Sequence, residues 1–249
     1  MNNDKLRNTV KKLRHHKYSG VDEIVGIEPK NRYGKISKKF VKENVSLSVD
    51  TNSQKEDEEI ISSIKTLESL HAFMSEYKKC ELHKSATNMV FSDGNPRSKL
   101  MLIGEAPGHD EDIQGKPFVG RSGKLLDKML NAIELSRDKV YIANIIPWRP
   151  PNNRRPTDDE INMCLPMIKK HIEIINPSAI LLLGSTATYA LIKNSEGITK
   201  IRGKWFDIEI NRKKYPMLPT FHPAFLLRQP AQKKFSWEDL KNLKSRVKN

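Results

Sequence analysis

Five side chains suited to binding a polar ligand stand beyond the ends of predicted strands. Glu105, Glu111 and Phe118 lie in a glycine-rich loop after the first apolar run, Asn144 ends the second run, and His222 follows the fourth. The amide and the imidazole can donate or accept hydrogen bonds, and the aromatic ring offers a flat apolar face. The acids of the loop would repel a phosphate, so we predict a neutral, polar ligand.

Two phosphate-binding loops are absent after the first predicted strand. Neither the spacing G-x-G-x-x-G of dinucleotide-binding folds nor the spacing G-x-x-x-x-G-K-[ST] of the Walker loop occurs there. The loop is instead a mixture of glycines, acids and one phenylalanine. An ordinary polar crossover loop is the alternative, but Phe118 between Pro117 and Val119 is apolar where a plain connector would be polar.

Alternating strands and helices would position these side chains. Helical spacing predicts one helix from Ser122, and the pair Thr157 and Glu160 resembles a capping box that opens another. This alternation favours an α/β fold, a three-layer αβα sandwich with a central, mainly parallel four-stranded sheet. Parallel strands end at one edge, where such folds bind ligands. The predicted strands are residues 99–103, 140–146, 179–183 and 215–220.

The N-terminal part has a different composition. Residues 1–57 are polar and rich in lysine, and we predict a basic extension, partly disordered or helical. Residues 58–249 then form the α/β domain. Apolar residues at three- and four-residue steps predict one amphipathic helix at the boundary, Asp57–Lys79.

The composition fits a partner that is a polyanion. The 249 residues include 44 Lys and Arg against 30 Asp and Glu, a formal net charge of +14. Such an excess favours nucleic acid, because neutralised phosphates release counterions; a basic protein from a lysine-rich proteome is the alternative. We predict no membrane association, since no apolar run spans a bilayer and no signal peptide is apparent. Two cysteines predict a reducing, cytoplasmic setting.

Three stretches resemble the motifs of the family 4 uracil-DNA glycosylases. They are Gly104–Leu130 (GEAPGHDEDIQGKPFVGRSGKLLDKML), Tyr141–Pro156 (YIANIIPWRPPNNRRP) and Thr220–Pro230 (TFHPAFLLRQP), in the order and spacing of the family. The resemblance extends over residues 77–247. It implies a monomeric hydrolase that binds uracil-containing DNA, flips uracil out of the duplex and hydrolyses its N-glycosidic bond, which starts base-excision repair.

The resemblance also implies catalytic roles. Glu105 corresponds to the motif that positions the attacking water, and Glu111 matches a second polar position of the catalytic site. Asn144 corresponds to the residue that reads uracil. His222 corresponds to the donor to uracil O2, where negative charge builds as the bond breaks and the sugar becomes oxocarbenium-like.

The remaining matched residues are assigned to binding. Phe118 corresponds to the aromatic residue that stacks on the flipped base. Gly104, Ala106 and Asn153 match other substrate-binding positions. The family's DNA contacts, including the loop that pushes into the duplex, correspond to Gly120, Arg121, Ser122, Leu226, Leu227 and Arg228.

The amide of Asn144 suits uracil better than cytosine. It can accept a hydrogen bond from N3–H and donate one to O4, whereas cytosine presents the reverse pattern at those atoms. Each polar group left unpaired costs about 1–3 kcal/mol. Taken alone, Asn144 could be a turn residue, His222 a buried structural histidine, and Leu226 and Leu227 core residues. The functional interpretation depends on their joint occurrence.

One departure from the family concerns its metal cofactor. Family members carry four cysteines for a [4Fe–4S] cluster, and four thiolates are the norm for such a cluster. Here Cys80 and Cys164 match two of the positions, while Tyr77 and Trp148 occupy the other two. We therefore expect no cofactor and no bound metal, with the two aromatic side chains packed in the space of the cluster.

Two other functions remain open at this point. The same fold could act on another deaminated base, such as hypoxanthine or xanthine. The chain could also be a non-catalytic DNA-binding homologue, although the presence of Glu105, Asn144 and His222 argues against this.

Overall fold

The computed structural model describes residues 51–194 and 196–247. Most of the predicted basic extension, residues 1–57, lies outside these ranges, so its disorder or helicity and the domain boundary stay predictions. Within the described ranges, no helix is long and apolar enough to cross a membrane.

Helices and strands alternate along most of the described chain. The strands are β1 (Asp93–Gly94), β2 (Leu100–Gly104), β3 (Tyr141–Asn144), β4 (Ala179–Leu183), β5 (Phe206–Ile210) and β6 (Lys213–Thr220). The helices are α1 (Thr51–Ser63), α2 (Leu67–Glu76), α3 (Leu82–Ser85), α4 (His109–Gln114), α5 (Arg121–Ala132), α6 (Asp158–Ile175), α7 (Ser185–Ile192), α8 (Ile198–Ile201), α9 (Pro223–Arg228) and α10 (Lys233–Val247).

The strands of the described chain form one mixed, six-stranded sheet in the order β1-β3-β2-β4-β6-β5. Strand β2 pairs in parallel with β3 and β4, and β4 pairs in parallel with β6. These four are the predicted parallel strands. Strands β1 and β5 add antiparallel edges, so the sheet is two strands wider than its predicted parallel centre.

Hydrophobic layers cover both faces of the sheet. In β2, Met101 and Ile103 belong to one layer and Leu100 and Leu102 to the other, as expected for side chains that alternate along a strand. Helices α1, α2, α6 and α7 pack in the first layer, and α5 and α10 in the second. The predicted three-layer α/β sandwich is confirmed.

The predicted single helix Asp57–Lys79 is wrong, because the chain forms the separate helices α1 and α2. Thr66 breaks it: its backbone is extended, with φ −128°, and its hydroxyl accepts a hydrogen bond from the N–H of Ser69 at 3.2 Å. A threonine in this position satisfies one free N–H at a helix start. Helical periodicity continues through the break, which is why spacing alone suggested one helix.

Candidate active site

A pocket of about 670 Å³ opens beyond the carboxyl ends of the central strands. Its walls include Glu105 after β2, Asn144 at the end of β3 and His222 after β6. Phe118 joins them from the loop between α4 and α5. The structure therefore brings together the chemistry-bearing residues that the sequence placed at one sheet edge.

Asn144 presents an acceptor with no hydrogen-bond partner in the described part of the chain. Its side chain is buried, 6% exposed, and its Oδ1 is unpaired. Gly104 lies against this oxygen and the Phe118 ring: a Cβ on Gly104 would be 2.5 Å from Asn144 Oδ1 and 2.6 Å from Phe118 Cζ. A buried unpaired acceptor costs free energy, so a ligand N–H is the group that suits this position.

The backbone of Phe118 is in the left-handed region, with φ 55°, and its ring is buried. Two charged side chains hold it there. Glu111 Oε1 accepts hydrogen bonds from the N–H groups of Val119 and Gly120, each at 3.0 Å. The guanidinium of Arg137 donates to the Phe118 carbonyl. Glu111 lines the pocket, but this oxygen is engaged in fixing the loop.

Arg137 was not identified from the sequence. It forms ion pairs with Asp93 and Asp127, each at 2.7 Å, and reaches the Phe118 loop from just before β3. Burial opposes its charge, but the hydrogen bonds to the two carboxylates raise the pKa of Arg137 above its usual value. The partners of Arg137 lie on three other segments of the chain. Its role therefore cannot be predicted from local sequence and is visible only in the folded structure.

His222 is fixed as a hydrogen-bond donor toward the pocket. It precedes Pro223 at the start of α9, and its Nδ1 accepts the N–H of Ala224 at 3.1 Å. The proton of the neutral ring is therefore on Nε2. Burial, and then the positive charge of Arg228, lower the pKa of His222 from 6.5 to about 4, so the ring is neutral at pH 7.

The position of His222 depends on two neighbours. Its ring lies 5.6 Å from that of Phe118, centroid to centroid, at an interplanar angle of 31°. Gly184, with φ 95°, directly follows β4 and lies beside His222. A Cβ on Gly184 would be 2.9 Å from His222 Cβ. A glycine here satisfies both the backbone conformation and the close approach.

Glu105 also lines the pocket. Its carboxylate accepts a hydrogen bond from the hydroxyl of Thr186, with 2.5 Å between Oγ1 and Oε2. Ala106, Pro107 and Gly108 continue the wall from Glu105. Thr186, on α7, is a second residue that sequence reasoning missed, because its partner is 81 residues away in the chain.

The loop after β3 contributes Asn153 and two arginines to the pocket wall. Asn153 is exposed, with φ 54°, and its Oδ1 accepts a hydrogen bond from Arg149 Nε at 2.7 Å. Arg154 pairs with Glu160 at 2.6 Å, at the start of α6. The capping box that was predicted at Thr157 is confirmed there.

A second cavity, of about 400 Å³, lies beside the first and contains most of the predicted DNA contacts. Arg121 is exposed on its rim. The two leucines of α9 differ: Leu226 is 1% exposed and packs in the core, whereas Leu227 is 37% exposed. A buried Leu226 cannot reach a DNA duplex unless α9 unpacks. Of the two leucines, Leu227 is therefore the candidate for insertion into DNA. Residues lining this cavity include Gly120, Ser122, Leu227 and Arg228.

The residues at the predicted cluster position do not fit a [4Fe–4S] group. Tyr77 and Trp148 stack at 6.4 Å between centroids and 13° between planes, and both are buried. The neighbouring thiol of Cys80, and then burial, raise the pKa of the Cys164 thiol well above its usual value. In the described part of the chain, no group of three or more His, Cys, Asp or Glu side chains is arranged to hold a metal.

Comparison with known proteins agrees with this fold. The family model described as the Uracil DNA glycosylase superfamily matches residues 91–243. The chain therefore belongs to the uracil-DNA glycosylase superfamily.

Relatives place it more narrowly. A type-4 uracil-DNA glycosylase of Sulfurisphaera tokodaii is 41% identical over 184 residues, which are 72% of this chain and 84% of the relative. The protein of the same name from Saccharolobus solfataricus is 45% identical over 172 residues, 67% of this chain and 80% of the relative. That from Thermotoga maritima is 40% identical over 190 residues, 74% and 97% respectively. Within the superfamily, the chain belongs to the type-4 family, as its three motifs predicted.

Proposed function

We propose that this protein is a uracil-DNA glycosylase, a hydrolase that cleaves the bond between uracil N1 and C1′ of the deoxyribose and leaves an abasic site. The observation that carries the proposal is the unpaired, buried Oδ1 of Asn144, in one pocket with Phe118 and a neutral His222. Membership in the type-4 family supports it.

Base recognition would use Asn144 and Phe118. A uracil stacked on the Phe118 ring can donate its N3–H to the unpaired Oδ1 and accept from the Asn144 amide at O4. Cytosine has an acceptor at N3 and an amino group at C4, so both contacts would be lost. The contact between Gly104, Asn144 and Phe118 supports this arrangement, because it leaves no room for a side chain behind the base.

Bond cleavage would use His222 and Glu105. As the N1–C1′ bond breaks, negative charge spreads onto uracil O2, and His222 Nε2–H is a fixed donor for it. A water attacks C1′, its oxygen forms the new bond, and a proton passes to the Glu105 carboxylate or on to solvent. The departing uracil anion takes up a proton at N1. No step depends on a metal cluster.

DNA would be held by the basic rim of the pocket. Arg154, Arg155 and Arg228 line its mouth, and Arg121 lies on the adjoining cavity. Phosphates can pair with these guanidinium groups, and the net charge of +14 favours a polyanion. Exposed Leu227 would fill the gap that a flipped base leaves in the duplex.

We further propose that the enzyme acts as a monomer in the cytoplasm.

An oligonucleotide with one uracil, labelled at its 5′ end, provides the test. The purified protein should release uracil in the presence of a chelator, and alkali should then cut the strand at the abasic site. A thymine oligonucleotide, and His222→Ala protein purified in parallel, control for uracil dependence and for contaminating glycosylases. Folded protein that fails on U·G, U·A and single-stranded substrates would refute the proposal. Cleavage of hypoxanthine but not of uracil would instead favour the other base.

A further inference from the structure

We propose that Thr186 is a positioning residue for Glu105: its hydroxyl holds one carboxylate oxygen, so that the other faces the attacking water. The inference rests on the proposed function. Neither the three sequence motifs nor the comparisons assign a role to Thr186.

The contact joins a buried hydroxyl to a partly exposed carboxylate. Thr186 is the second residue of α7 and is 1% exposed. Its Oγ1 donates to Glu105 Oε2 at 2.5 Å, which fastens the start of α7 to the loop after β2. Because Oε2 is engaged, Oε1 is the oxygen left to orient a water in the pocket.

A second threonine on the same helix makes a local hydrogen bond instead of a bond to another segment. Thr188, on the same helix and 2% exposed, donates its hydroxyl to the carbonyl of Gly184 at 2.8 Å, four residues earlier. That bond is the usual local partner for a helical threonine. Thr186 instead donates to a carboxylate on another segment. Charge-assisted bonds of this kind are roughly twice as strong as neutral ones.

Three variants separate orientation from packing. Thr186→Val has nearly the same shape but no donor, Thr186→Ser keeps the donor, and Thr188→Val removes the neighbouring hydroxyl as a matched control. Single-turnover excision of uracil and equilibrium binding of uracil DNA should be measured from pH 5 to pH 9, with urea unfolding to confirm the fold.

We expect Thr186→Val to lower the excision rate about 10- to 100-fold, the equivalent of one charge-assisted hydrogen bond, with DNA affinity unchanged. Thr186→Ser should recover most of the rate, and Thr188→Val should resemble the parent. Equal losses in Thr186→Val and Thr188→Val, or no recovery in Thr186→Ser, would overturn the proposal.

A measurement without activity keeps this test separate from that of the proposed function. In protein labelled with ¹³C at the glutamate carboxyls, the Glu105 signal is the one missing from Glu105→Gln. Its chemical shift at pH 7 should change in Thr186→Val and not in Thr188→Val. An unchanged chemical shift would refute the role of Thr186 even if the enzyme excises uracil. A changed chemical shift in a protein without glycosylase activity would refute only the proposed function.

Discussion

The protonation state of His222 determines how it can act on a leaving uracil. Its Nδ1 is occupied by the Ala224 N–H, so Nε2 always carries a proton in the neutral ring. With a pKa of about 4, the ring becomes cationic only in strong acid. A uracil that leaves from this pocket would therefore meet a neutral donor at O2 throughout the pH range of cells. Burial lowers the pKa of His222, and the Ala224 N–H fixes which ring nitrogen donates.

Replacing His222 should affect the chemical step. His222→Ala removes the donor to O2, and loss of one such donor typically costs about 10²–10³ in rate. We expect single-turnover excision to fall by that factor while affinity for uracil DNA stays near that of the parent. A variant as fast as the parent would exclude His222 from the mechanism.

Asn144 should set base choice. Asn144→Asp replaces the amide donor with an acceptor, which opposes uracil O4 and offers a partner to the amino group of cytosine. Uracil excision should fall steeply, and slow release of cytosine should become measurable on a C·G oligonucleotide. Asn131→Asp, at an exposed position of α5 that does not line the pocket, is the matched control and should keep the preference for uracil. Unchanged rate and selectivity in Asn144→Asp would place this residue outside base recognition.

At the scale of elements, the loop after β3 is held from both ends. Trp148, at its start, stacks on Tyr77 from the segment after α2, and Arg154, near its end, pairs with Glu160 at the start of α6. Between these anchors lie Arg149 and Asn153, which are bonded to each other. The aromatic stack thus ties the pocket wall to the N-terminal helices by apolar contact.

Trp148→Ala should be strongly destabilising, because the side chain is 4% exposed. Removing a buried tryptophan typically costs about 3–5 kcal/mol, from lost burial and the cavity left behind. Urea unfolding followed by circular dichroism would measure it. Trp237→Ala, at a side chain 41% exposed on α10, is the matched control and should change stability by about 0.5 kcal/mol or less.

Metal analysis of the unmodified protein is an independent test of whether the Tyr77–Trp148 stack takes the place of a cluster. Stoichiometric iron in protein purified without oxygen would contradict a stack that replaces the cluster, since Cys80 and Cys164 are the only cysteines of the chain. Weaker destabilisation in Trp148→Ala than in Trp237→Ala would also contradict it.

The elements that local pattern can specify were predictable. Apolar runs located the parallel strands, and the side chains at their ends, Asn144 and His222, met in one pocket because parallel strands share an edge. Features that depend on distant partners were not predictable. The two-residue strand β1 and the contacts of Arg137 and Thr186 require the folded neighbours. The helix break at Thr66 is a local cap to Ser69, but the helical spacing that continues through it concealed the break. Exposure of Leu227 but not Leu226 likewise follows from how α9 packs.

At the scale of the whole molecule, one buried histidine links stability to pH. His171, on α6, is 2% exposed and packs between Phe91 and Tyr141. Burial, and then the charge of His71, lower the pKa of His171 from 6.5 to about 3. Between these two values the unfolded chain binds a proton that the folded chain does not, so stability falls as the pH falls through this window.

His171→Gln should reduce the acid sensitivity of the fold. From pH 7.5 to pH 4.5, His171 alone should cost the parent about 2–3 kcal/mol of unfolding free energy, at 1.36 kcal/mol for each pH unit below 6.5. The variant should lose less stability than the parent over this range by that amount, measured by urea unfolding at both pH values. Parallel pH dependence in parent and His171→Gln would show that His171 does not contribute.

The sheet order has a consequence for how activity arises during folding. Glu105 follows β2, Asn144 is the last residue of β3, and His222 lies just after β6. Strand β4 must lie between β2 and β6 before the ends of these strands can face one pocket. Parallel pairs with long intervening segments form late, because loop closure must precede their contacts. A nascent or partly unfolded chain therefore carries the positive charge of the sequence without an assembled pocket. Activity that depends on these three side chains should be confined to the finished fold.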